Sequence, residues 1–203
     1  MENLWEESKS FKIQQKKNEW LGFINEINKN GKIKYCLEIG CYDGGTTVFL
    51  SNICENLITI DQPNPPRFDE YKYSHNSSNL YGSEYIKNKC NFNYIFGNSH
   101  LTETYENVKN LLNGNKLDLL FIDGDHSYEG VKKDYIMYSE FVKNNGVIAF
   151  HDIHRSTFHE SHGCFVHNFW DELISDGKNN KTFYDSEIYG EWGGIGLIYK
   201  TYN

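Results

Sequence analysis

Proline is almost absent from this chain; the three present all fall between residues 63 and 66. Set beside fifteen Tyr and thirteen Phe, so little proline argues for a folded chain over a disordered one. Cysteine supplies no framework either. The five present, Cys36, Cys41, Cys54, Cys90 and Cys164, are odd in number and include no C-x-x-C pair, so they read as reduced thiols, not as a disulfide scaffold or a zinc knuckle. No run approaches the roughly twenty apolar residues of a membrane helix. The highly charged Met1–Lys17 has no apolar core of a secretory signal. The expectation is a cytoplasmic protein with no membrane partner. Excess positive charge is missing too: the formal net charge is −8, which argues against a nucleic-acid partner. Lys9, Lys12, Lys16 and Lys17 interleave with Glu2, Glu6, Glu7 and Glu19 and read as a solvated helix face.

What is present alternates. Trp5, Phe11, Trp20, Leu21, Phe23, Ile24 and Ile27 form the apolar stripe of a helical region ending near residues 28–31. Short apolar strands follow at Tyr35–Ile39, Leu57–Asp61, Phe92–Phe96, Leu117–Ile122 and Val147–His151. Helical patterns lie between them at Thr46–Ile53, Ser83–Lys89, Leu101–Leu112 and Tyr128–Val142. That alternation predicts a parallel sheet covered by helices on both faces. A helix over Phe165–Ile174 and strands at Thr182–Asp185 and Gly194–Tyr199 complete the pattern, the last two suiting an antiparallel hairpin at the sheet edge. The expected fold is α/β: a doubly wound, Rossmann-like seven-stranded sheet, mostly parallel with an antiparallel last strand. No repeat or linker divides the 203 residues, so one domain is expected, a helical 1–30 followed by an α/β core over 34–201. The polar interval Gln62–Tyr81 reads as a surface loop beside the site.

In such a sheet ligands bind beyond the carboxyl ends of the strands. The first strand runs into Glu38-Ile39-Gly40, with Gly44 and Gly45 opening a helix. Gly40 and Gly44 allow close backbone approach to a ligand, and the single acid, Glu38, suits one carrying positive charge. Asp61 ends the second strand, where a carboxylate can accept both hydroxyls of a ribose. The third strand runs out into Asn98 and Ser99, the fourth into Asp123-Gly124-Asp125-His126, and the fifth ends at His151-Asp152. Acids, amides and imidazoles at five successive strand ends are seldom a product of chance.

The E-x-G-x-x-x-G turn and the run from Leu117 to Ile153 resemble the class I S-adenosylmethionine-dependent methyltransferases. The branch they are most similar to holds small O-methyltransferases related to cephalosporin hydroxylase and to macrolide and aminocoumarin sugar methyltransferases. The resemblance implies S-adenosylmethionine as cofactor and a hydroxyl of a small molecule or sugar as acceptor. It places Glu38, Gly40 and Gly44 at the methionine portion, Asp61 at the ribose, Asn98 and Ser99 near the adenine, and Asp123 at the border of cofactor and acceptor. It implies a divalent-metal set of Asp123, His151 and Asp152. Oxygen ligands suit magnesium, but His151 stands where relatives carry an oxygen ligand, which leaves magnesium, manganese, zinc or no metal open. Asp125 and His126 are the general-base candidates, Asp125 on the resemblance and His126 because imidazole titrates nearest neutrality.

Other readings stand beside this one. An NAD- or nucleotide-sugar-dependent oxidoreductase would use a similar sheet, but its G-x-G-x-x-G turn is missing. A non-catalytic S-adenosylmethionine-binding protein would keep the turn without the chemistry. Five histidines between His151 and His167 fit no standard zinc spacing and read as a polar loop. Trp5 and Trp20, if exposed, suit a homodimer contact.

Overall fold

The computed structural model describes residues 1–9, 11, 13–62, 84–185 and 192–201. Two helices, α1 (Glu2–Lys9) and α2 (Lys17–Ile27), precede strand β1 (Ile33–Ile39). There follow α3 (Gly45–Ser51), β2 (Cys54–Asp61), α4 (Glu84–Lys87), β3 (Asn91–Phe96), α5 (Thr102–Leu112), β4 (Leu117–Ile122) and α6 (Tyr128–Tyr138). The chain continues through β5 (Val142–His151), α7 (Thr157–Ser161), α8 (Val166–Ser175), β6 (Asn180–Phe183) and β7 (Ile195–Tyr199).

The seven strands form one sheet in the order β3-β2-β1-β4-β5-β7-β6. β7 pairs antiparallel with both β5 and β6, so it alone runs against the others. The chain builds outward from β1 to β3 and then returns to lay β4 against the other side of β1. That reversal opens a crevice above the carboxyl ends of β1 and β4, the position where sheets of this kind hold ligands.

The period-two alternation of the strands divides the core into two layers. Leu37, Ile39, Ile58, Ile60, Leu120, Ile122, Ile148 and Phe150 face α5, α6 and α8 through Val108, Val131, Phe169 and Trp170. Cys36, Leu57, Leu119, Phe121, Val147 and Ala149 face the amino-terminal helices and α3 through Trp5, Trp20, Phe23, Ile24 and Phe49. Glu38 shares this second face by alternation and is wholly buried.

Two expectations change. Trp5 and Trp20 are 6% and 0% exposed, and the Trp20 ring meets Phe49 and Phe121 edge-on at 5.6 and 5.3 Å. They are core residues and give a dimer contact no support. The helix expected to reach Val142 ends at Tyr138, a 3₁₀ turn covers Ser139–Phe141, and β5 begins at Val142. The polar 143–146 stretch still belongs to the strand because a bulge opposite Leu117–Leu119 absorbs it, with Asn145 left-handed at φ 60°.

Candidate functional site

β1 delivers the glycine turn to the crevice. Gly40 and Gly44 have φ of 85° and 92°, and Gly44 caps α3 in the left-handed region. A Cβ at residue 40 would lie 2.1 Å from the Asp123 carbonyl oxygen, so glycine is needed there for β4 to close against β1 as well as for any ligand. Asp61 clasps the turn: its Oδ2 accepts the Cys41 and Tyr42 amides at 2.8 and 2.9 Å, and its Oδ1 the Gln62 amide at 2.6 Å. Beneath it, Glu38 Oε2 accepts the hydroxyls of Thr47 and Thr59 at 2.6 and 2.8 Å. Glu38 Oε1 has no hydrogen-bond partner among the described residues. Burial outweighs the threonine bonds and raises the Glu38 carboxyl to about 7.

At the end of β3, Asn98 Oδ1 accepts the His100 amide at 2.8 Å, and the Ser99 carbonyl accepts the Tyr138 hydroxyl at 2.6 Å. Both residues therefore sit in a braced turn at the crevice rim. Beside it, His100 Nε2 is 3.3 Å from the wholly buried Asp134 carboxylate. That bond raises the His100 pKa against the opposing effect of burial.

The ends of β4 and β5 bring four of the expected residues, Asp123, His126, His151 and Asp152, into one polar cluster. Asp123 Oδ1 is 3.2 Å from both His126 Nε2 and His151 Nδ1. Asp152 places Oδ2 3.6 Å from His126 Nδ1 and Oδ1 3.4 Å from His151 Nδ1. Asp152 is held at φ 61°, a left-handed position rare for a residue with a Cβ, which turns its carboxylate back to the cluster. Burial opposes charge on both imidazoles, yet the two aspartates prevail: His126 is raised to about 9 and His151 well above its usual value. Burial likewise opposes ionisation of Asp123 and Asp152, and the histidines hold both below the usual carboxylate range. Asp123, His151 and Asp152 each offer a ligand atom within 4.8 Å of the others, as do His126, Asp152 and Cys164.

Asp125 differs from its neighbour. Its Oδ1 accepts the Ser127 amide at 2.9 Å, and its side chain fills the space beside Gly130 at the start of α6. His126 turns instead toward the carboxylates, with 39% of its side chain open to solvent.

Several residues of the site escaped the sequence reading. Gln15 Nε2 donates to Asp123 Oδ2 at 2.6 Å. Glu19, expected on a solvated face, is 1% exposed and accepts His151 Nε2 at 3.2 Å and the Gly194 amide at 2.7 Å. Lys16, of the same supposed face, is 7% exposed, donates to the Trp192 carbonyl and lies 4.7 Å from the Trp192 ring centre. A signal was present: Glu19 stands four residues before Phe23 and so shares the buried stripe of α2. The histidine-rich stretch is only partly a surface loop, since His159 and His167 are also buried. His159 donates from Nδ1 to the His154 carbonyl at 2.6 Å and sets Nε2 3.2 Å from Asp152 Oδ1. The loop expected beyond Gln62 lies outside the described residues.

Strand order, the lone antiparallel β7 and the glycine turn beside this cluster are those of the Rossmann-like methyltransferase fold. The chain belongs to the methyltransferase-domain family, whose model matches residues 37–153. It is 32% identical over 120 residues to the uncharacterised protein R132 of Acanthamoeba polyphaga mimivirus; the match covers 57% of this chain and 50% of that protein. The chain thus spans about half the length of the curated relative it matches. Among solved structures it resembles a Bacillus cereus O-methyltransferase in complex with S-adenosylhomocysteine (TM-score 0.64, 14% identity, 98% and 90% of the two chains). It also resembles the N-methyltransferase NodS of Bradyrhizobium japonicum (0.62, 12%, 90% and 94%). A third likeness is to MycE of the mycinamycin pathway, in complex with Mg and S-adenosylhomocysteine (0.61, 13%, 98% and 54%). At these identities the structural likenesses speak for the fold. Membership of the family sets aside the oxidoreductase reading.

Proposed function

We propose that this methyltransferase acts on a hydroxyl of a small molecule or sugar, with a divalent cation assisting. The observation that carries the reading is the Asp123–His126–His151–Asp152 cluster, set against the glycine turn through the Gly40–Asp123 contact. Glu38, Gly40, Gly44 and Asp61 hold the methionine and ribose portions of the cofactor, with Asn98 and Ser99 at the adenine end. Residues 1–203 act as one domain, since α1 and α2 contribute to the same core layer as β1 and β4.

The donor set fits a cation. Asp123, His151 and Asp152 converge within 4.8 Å, and the buried Gln15 Oε1 lacks a hydrogen-bond partner among the described residues. A nitrogen donor among oxygens favours a borderline ion such as zinc over magnesium, while the carboxylates also suit manganese. S-adenosylmethionine supplies an electrophilic methyl on sulfur, and the cation supplies positive charge that acidifies the acceptor hydroxyl.

His126 is the base this arrangement favours. It is the most open of the cluster's two imidazoles, and Asp125 is already engaged in the turn that starts α6. Beside Asp123, His126 would take the proton that the acceptor hydroxyl gives up, while S-adenosylmethionine would supply the methyl and its sulfur would keep the bond's electrons. Asp123 and Asp152 keep His126 protonated up to about 9. A cation held by Asp123 and Asp152 would compete with His126 for those carboxylates and so lower its pKa toward neutrality. The remaining contribution of the protein is alignment of oxygen, methyl carbon and sulfur.

The test is turnover of labelled S-adenosylmethionine with panels of hydroxyl-bearing and amine-bearing acceptors, with and without Mn²⁺. Methylation confined to amines, or no product with any acceptor despite cofactor binding, would sink the proposal.

A further inference from the structure

Glu19 lies outside the residues matched by the family model, on a helix separated from His151 by 132 positions, yet it is built into the strand-end cluster. Its Oε1 accepts the Lys16 amide at 2.9 Å and faces His151 Nε2 at 3.2 Å; its Oε2 accepts the Gly194 amide at 2.7 Å. The side chain is thus fixed by two backbone donors that have no part in chemistry. A carboxylate this firmly held can only accept, so the His151 nitrogen facing it carries the hydrogen. The other nitrogen, Nδ1, is thereby presented to Asp123 Oδ1 at 3.2 Å and Asp152 Oδ1 at 3.4 Å. With Glu19 and His151 1% and 3% exposed, water does not compete for either partner.

We propose that Glu19 is a positioning residue: it holds His151 with Nδ1 toward Asp123 and Asp152, so that divalent-cation binding depends on the amino-terminal helix. This rests on the reading of Asp123, His151 and Asp152 as a cation set. Carboxylates that orient a ligating histidine from its far nitrogen also raise its basicity toward the metal. A purely structural Glu19 would hold α2 against the loop at Gly194 and leave cation affinity untouched.

The experiment uses the full chain, stripped with chelator, and titrates Mn²⁺ by calorimetry and electron paramagnetic resonance. Glu19→Gln weakens Mn²⁺ binding about 10- to 100-fold, while S-adenosylhomocysteine affinity stays at the wild-type value. A Glu19→Gln variant that binds Mn²⁺ as wild type does overturns the role of Glu19 alone. A wild type that binds S-adenosylhomocysteine but neither Mn²⁺ nor Zn²⁺ overturns the cation set, and the inference with it. A second measurement needs no variant. In Zn²⁺-loaded wild type labelled with ¹⁵N-histidine, His151 shows a protonated Nε2 and a metal-bound Nδ1. The reverse assignment overturns the proposal.

Discussion

Gly40 and Asp123 meet backbone to backbone: a Cβ at 40 would sit 2.1 Å from the Asp123 carbonyl oxygen. The glycine turn after β1 and the acid that follows β4 are therefore one unit, joined also by the Asp123 amide donating to the Ile39 carbonyl at 2.8 Å. Gly40→Ala forces both a left-handed alanine and a backbone clash. The expected outcome is a lowered melting temperature together with loss of S-adenosylhomocysteine binding, measured by thermal unfolding and calorimetry. An alanine variant with wild-type melting and binding contradicts the coupling.

Asp61 bonds to three backbone amides before any ribose is considered. Asp61→Asn keeps an oxygen for the Cys41 and Tyr42 amides and replaces the second acceptor with a donor. It should fold with near-wild-type secondary structure by circular dichroism and bind S-adenosylhomocysteine more weakly by about tenfold or more, the range of a lost charged hydrogen bond. Unchanged affinity would remove Asp61 from the ribose site.

His126 sets a pH window. Its folded-state pKa is raised to about 9, above the ordinary 6.5. The stability it contributes to the metal-free protein is fully present below pH 6.5 and is lost as pH rises through 9. In chelator, the melting temperature of wild type should fall across that interval, and that of His126→Gln should fall less. As a general base, His126 should also matter to turnover: the variant loses about 100-fold or more, with cofactor affinity retained. A parallel pH profile for the two proteins, or full turnover in the variant, would count against these assignments.

Glu38 shifts stability in the same direction over a lower pH interval. Burial raises its carboxyl from 4.5 to about 7, so the folded state prefers the neutral form. The protein then loses stability as pH rises from 4.5 to 7 and no further from this group. Glu38→Gln, which keeps an acceptor for Thr47 and Thr59, should gain melting temperature relative to wild type between pH 5 and pH 7.5. A difference that is flat with pH would show that the carboxyl is not perturbed.

Trp20 fills the layer between α2 and the sheet, wholly buried against Phe49 and Phe121. Trp20→Ala should cost about 3–5 kcal/mol, read by denaturant unfolding, with no change of oligomeric state in sedimentation. A variant that alters assembly while keeping its stability would return Trp20 to an interface.

The sequence by itself determined the strands, the glycine turn and which residues end each strand. These are local signals: period-two burial, a turn that requires glycine, and polar residues placed where a strand leaves the core. Because β1 to β5 are parallel, their ends necessarily share one edge, and so Glu38, Asp61, Asp123 and His151 could be gathered without coordinates. The reach of β5 was less legible, since a bulge carries polar 143–146 into a strand that alternation alone would have ended. The partners of those strand-end residues depended on tertiary structure. Gln15 and Glu19 reach Asp123 and His151 across 108 and 132 positions, a pairing that no local pattern encodes. Asp125 and His126 are adjacent in sequence, and only the packing of the Asp125 side chain against Gly130 of α6 sends one into a turn and leaves the other toward the carboxylates. The chain specified which groups would stand at the crevice, and folding decided how they are held: hydrogen bonds form between atoms brought within about 3 Å of one another, and that separation is set by how the helices close on the sheet.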